Sequence, residues 1–193
     1  MDKSSQEIAT VNTKAGYGKR KKKIGTTKRI TYLATLVAAS LILKIAGGIF
    51  KTPTFSLSLA YIPWILSAIA MGPLGGAAVA GITDFLGAII QGFAPNPILT
   101  LGCVCFGLIM GFVFKIPRLD ARVKLLIGTL IVIPVCTLGI NALGMTVYYA
   151  SEKTVSSFFG YVVLRLPQIP VVAVNAAATA FLFPLMRKLG LME

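Results

Sequence analysis

Six apolar stretches run through this chain, near residues 30–48, 58–72, 74–92, 98–115, 122–150 and 155–186, and the Lys and Arg residues between them collect on one side. A stretch of about 20 apolar residues crosses a bilayer as a helix, because hydrocarbon offers its backbone groups no other hydrogen-bond partner. Nine basic residues precede Thr31, including the run GKRKKK. Lys115, Arg118, Arg122 and Lys124 fall between the fourth and fifth stretches, and Arg187 and Lys188 follow the sixth. An N-in arrangement with six spans puts all fifteen in the cytoplasm, whereas five or seven spans would leave the last pair outside. The expected fold is therefore all-α: an integral membrane bundle of six transmembrane helices, N-in and C-in, in the plasma membrane of a bacterial cell.

The formal net charge of +13 would suggest nucleic acid in a soluble protein. Here the mean hydropathy is +0.83, and the positive charge lies next to the first apolar stretch, where it attracts anionic lipid instead. Residues 1–29 are polar and basic and read as a disordered cytoplasmic tail, leaving 30–190 as one membrane domain. The segment from Ile30 to Phe50 is too long for a typical signal-peptide core, so it reads as a retained helix.

Composition narrows the chemistry. The 193 residues include no histidine, and Cys103, Cys105 and Cys136 all lie within apolar segments, where a thiol behaves as a small hydrophobe. No metal site, no cofactor and no enzymatic activity are expected, since paired acids and a nucleophile beside a base are missing. The chain has no G-x-x-x-x-G-K-[ST] phosphate loop, so energy for transport must come from partners or a gradient.

Small residues one helical turn apart recur at Gly72 and Gly76, Gly107 and Gly111, Ala34 and Ala38, and Ala173 and Ala177. In lipid such pairs let helix backbones approach closely. Most serve internal packing, while the Ala34/Ala38 face suits either packing or the docking of another membrane protein. Charged and amide groups inside the spans need an account, at about 2.5–3.5 kcal/mol for each charge. Asp84 reads as a ligand contact, a proton site or the partner of Arg165 in an ion pair. Arg165, within LRLPQIP beside Gln168, reads as a ligand-binding fork deep in the last span, and Asn141 as a contact to ligand or a bond between helices. The segment FKTPTFSLSLAYIPW supplies Lys51, Phe55 and Tyr61 as cover for an aromatic ligand, with the segment from Tyr148 to Glu152 as a facing rim.

Taken together, the chain resembles the substrate-binding S components of energy-coupling factor (ECF) vitamin transporters over about residues 28–190. The resemblance is carried by the basic tail, the Ala-x-x-x-Ala first helix and, above all, GPLGGAAVAGITDFLGA. Within that family the folate branch is the most similar, through the same segment with Asn141 in GINALGM and Arg165 in VVLRLPQIP. The resemblance implies six helices, a ligand pocket open to the outside, and a complex with a transmembrane coupling subunit and two cytoplasmic ATPases. It also implies high-affinity folate uptake. An S component for another aromatic vitamin such as riboflavin, or a proton-coupled carrier using Asp84, is the alternative.

Overall fold

The computed structural model describes residues 26–48 and 58–188, and among these residues every regular element is helical. The order is α1 (Thr26–Gly48), α2 (Tyr61–Met71), α3 (Pro73–Ile90), α4 (Pro97–Lys115), α5 (Ala121–Tyr149), α6 (Val155–Arg165) and α7 (Gln168–Lys188). Five of these, α1, α3, α4, α5 and α7, are long and apolar enough to cross a membrane. The short helices α2 and α6 have 11 residues each. The last expected span, 155–186, is thus two helices. Leu166 and Pro167 turn the chain between them, because a proline cannot donate the next helical hydrogen bond.

Local chemistry sets the other boundaries. Gly72 takes a φ of +78°, which a side chain would resist, and Pro73 then opens α3 with its φ already helical. Asn96 caps α4 by accepting from the backbone N–H groups of Ile98 (3.0 Å) and Leu99 (3.3 Å), with Pro97 next in line. Thr154 caps α6 by accepting from Ser157 N–H at 3.2 Å. In α5, residues Ile133–Ile140 form wider π-helical turns around Pro134, whose missing N–H loosens the helical ladder.

The helices pack through their smallest residues. A Cβ on Gly107 would run into the backbone of Gly76, and one on Gly111 into that of Pro73, so α3 and α4 touch main chain to main chain. The expected Gly72/Gly76 and Gly107/Gly111 pairs therefore face each other. Around this seam lie Trp64, Ile65, Ala68, Val79, Ala80, Phe106 and Met110, all buried. Helix α1 is peripheral, and Ala34 and Ala38 are exposed on it; Ala173 and Ala177 are likewise exposed on α7.

Candidate functional site

Towards the Ile90 end of α3 the bundle opens into a cavity of about 730 Å³ lined by residues of all seven helices and by the segment before α4. This is within the ordinary range for small-molecule sites, about 300–1,000 Å³. Tyr61 and Trp64 of α2 form one wall. Their rings pack edge to face at 5.0 Å, and Phe106 stacks against Tyr61 at 5.3 Å. The indole is fixed from behind, since Trp64 Nε1–H donates to Ser40 Oγ at 2.8 Å and Ser40 in turn donates to the Ala60 carbonyl at 3.3 Å. Burial without these bonds would leave two polar groups unpaired. Phe93, Tyr149 and Tyr161 complete an aromatic lining.

Among the described residues, Lys44, Asp84 and Arg165 are the charged side chains that line the cavity. Asp84 does not pair with Arg165. Its Oδ1 receives the Lys44 ammonium at 2.8 Å, its main-chain carbonyl receives the same group at 3.3 Å, and its Oδ2 accepts from Thr100 Oγ1 at 2.9 Å. Sequence does not single out Lys44 as the partner: it lies forty residues away on α1, and its four-carbon stem reaches Asp84 only when α1 packs on α3. The signal available was the cost of a lone acid in a span, which calls for a nearby cation.

Arg165 is the last residue of α6 and not deep within a span, yet it still lines the cavity. Its guanidinium has no hydrogen-bond or ion-pair partner among the described residues. Gln168 opens α7 and donates from Nε2 to Tyr61 Oη at 3.5 Å, joining the far side of the cavity to the aromatic wall. Asn141 lines the cavity directly after the π-helical turns. Gly102 makes room for it, because a Cβ there would collide with Asn141 Oδ1, an oxygen that is buried and has no hydrogen-bond partner among the described residues.

Of the expected site residues, Arg165, Asp84, Asn141, Tyr61 and Gln168 converge on this cavity. Lys51 and Phe55 lie outside the described residues. Tyr148 does not line it; its neighbour Tyr149 does, because α5 continues as a helix and Asn141, Met145 and Tyr149 recur four residues apart on one face. Asn96, expected at an outer surface, is buried and donates from Nδ2 to the Gly144 carbonyl at 3.0 Å, tying α4 to α5.

An all-helical membrane bundle whose cavity pairs aromatic walls with a few cationic and amide groups is a membrane-embedded binding protein for a small molecule. The family described as "ECF transporter, substrate-specific component" matches residues 28–187, and the chain belongs to this family. It is a transporter's substrate-binding component and not an enzyme. Among solved structures it is similar to the "Crystal structure of FolT bound with folic acid", with a TM-score of 0.64 and 21% sequence identity over 82% of this chain and 93% of that one. No curated protein matches the chain.

Proposed function

We propose that the chain is the folate-binding subunit of an ECF transporter, receiving folate or a related pterin in the cavity described above. The observation that carries this reading is the Arg165 guanidinium on the wall of an aromatic-lined cavity of about 730 Å³. A flat pterin suits the rings of Tyr61, Trp64 and Tyr149. Its ring oxygen and nitrogens suit donors such as Arg165, Asn141 and Gln168, whose planar groups fix orientation as well as bind. The likeness of the fold to FolT bound with folic acid supports the same reading.

The uptake cycle then needs a transmembrane coupling subunit and two ATPases, with the exposed Ala34/Ala38 face of α1 as the docking surface. Six spans with both ends in the cytoplasm complete the arrangement, the short α2 counting as one and α6 packing against the later part of α5. Labelling from outside of single cysteines, in a chain without Cys103, Cys105 and Cys136, should reach position 152 and not position 120; the opposite pattern overturns the orientation. Both Glu152 and Asp120 are exposed, so burial does not mask the answer.

The deciding experiment is thermal unfolding of the purified protein with folic acid, riboflavin and thiamin. A ligand that binds only the folded state stabilises it by about 2.7 kcal/mol at a hundred times its Kd. Folic acid is expected to raise Tm most, and Arg165→Ala to weaken its binding by about 1.5–3 kcal/mol, the range for a hydrogen bond to a charged group. Arg165→Lys should fail similarly, as a point charge does not reproduce the fork. Stabilisation by riboflavin instead of folic acid overturns the folate assignment.

A further inference from the structure

The Lys44–Asp84 pair belongs to no step of the function proposed so far, and its geometry is more specific than a brace between two helices requires. Both carboxylate oxygens of Asp84 are engaged, one by Lys44 and one by Thr100 Oγ1, so the acid is committed to holding neighbours. Lys44 is less fully committed. An ammonium carries three donors, and Asp84 takes two of them, through Oδ1 and through its main-chain oxygen. The third has no partner among the described residues, and the Lys44 side chain is 20% exposed where it lines the cavity.

The path of the lysine stem points the same way. An ideal Cβ on Gly87, one turn beyond Asp84, would sit 2.7 Å from Lys44 Cδ, 3.0 Å from Cε and 3.1 Å from Nζ. The stem thus lies directly over a residue with no side chain, and any larger residue would shift the ammonium. Charge balance adds a third argument. Lys44 and Arg165 against Asp84 leave one excess positive charge on the described lining, in surroundings whose low dielectric magnifies it.

We propose that Lys44, held in place by Asp84, Thr100 and Gly87, is a carboxylate-binding cation of the cavity. It selects aromatic ligands that also carry an anionic group, and Asp84 is its positioning residue and not a direct contact to the ligand rings. This rests on the cavity being the ligand site, as proposed above. For folate the group bound is a carboxylate of the glutamyl tail, leaving Arg165, Asn141 and Gln168 to the rings.

The test is calorimetric titration of the full-length purified protein with folic acid and with its diamide, in which both glutamyl carboxylates are amides. Lys44→Met alone strands Asp84 without its counter-ion, so Lys44→Met/Asp84→Asn is measured beside it, together with Gly87→Ala, which keeps every charge. The wild type should prefer folic acid by at least about tenfold, the size of a hydrogen bond to a charged group. In the double variant the preference should fall to near unity with diamide affinity retained, and in Gly87→Ala it should fall part of the way. A double variant that keeps the wild-type preference, or loses affinity for both ligands equally, reduces Lys44 to a brace and overturns the proposal. If folic acid does not bind the wild type, the folate assignment falls by itself. Benzoate against benzamide in thermal unfolding then decides Lys44: benzoate stabilising the wild type and not the double variant supports the proposal, and an equal response overturns it.

Discussion

Along the contact between α3 and α4, one end is closed and the other is open, and the change takes place within about three helical turns. At the Gly72 end, glycine meets glycine and proline, and main chains touch with no room for a methyl group. From Asp84 onward the same two helices and the segment between them line the cavity, through Asp84, Ala88, Asn96, Leu99 and Cys103. The first end derives its stability from contact area, where lipid supplies no hydrophobic drive. The second gives up contact area for polar groups, of which Asp84, Lys44 and Asn96 are held by named partners and Arg165, among the described residues, is not. A closely packed seam therefore adjoins a cavity lined by polar and aromatic side chains.

The sharpest way to break this contrast is to fill the seam. Gly107→Val should destabilise the fold by about 3 kcal/mol or prevent folding, since overpacking a filled contact costs about 1–3 kcal/mol and this contact is backbone on backbone. Thermal unfolding in detergent measures it, and a variant of wild-type stability would show that the helices do not touch there. Asn96→Ala ranks next. It removes the cap of α4 and the bond to Gly144 together, for a loss of about 1–3 kcal/mol in the same assay, with ligand affinity falling too because the cavity rim loosens. Ser40→Ala strands the Trp64 indole N–H behind the aromatic wall, a loss of about 1–2 kcal/mol accompanied by a change in the fluorescence of the chain's single tryptophan. The smallest effect on the isolated protein belongs to Ala38→Trp. The position is exposed, so folding and ligand binding should match the wild type while energised uptake in cells is lost. Lost binding in folded Ala38→Trp protein would make that face part of the cavity's support.

The closed end was far easier to read from sequence than the open one. Small residues four apart specify a close helix contact by themselves, and Gly72, Gly76, Gly107 and Gly111 meet as that spacing implies. Three polar residues that line the cavity were also legible one by one, because Asp84, Asn141 and Arg165 fall within apolar stretches, where such groups are costly. Their pairing was not. Which cation answers Asp84 depends on the placement of α1 against α3, and sequence distance favours neither Lys44 nor Arg165. The break at Leu166 and Pro167 was hidden for a different reason: apolar residues continue through it, and hydropathy does not distinguish a turn from a kink. Tyr149 was missed in favour of Tyr148 because the segment read as a rim, whereas α5 persists as a helix to Tyr149.

The wide turns of α5 amount to a setting of rotational phase. Residues Ile133–Ile140 advance around the axis more slowly than α-helical residues do, and everything after them inherits that offset. Were the same eight residues wound at ordinary α-helical pitch, Asn141, Met145 and Tyr149 would turn together about the axis and out of register with the cavity, without any of them being altered. Within this helix, then, the winding of residues that do not line the cavity governs which side chains do.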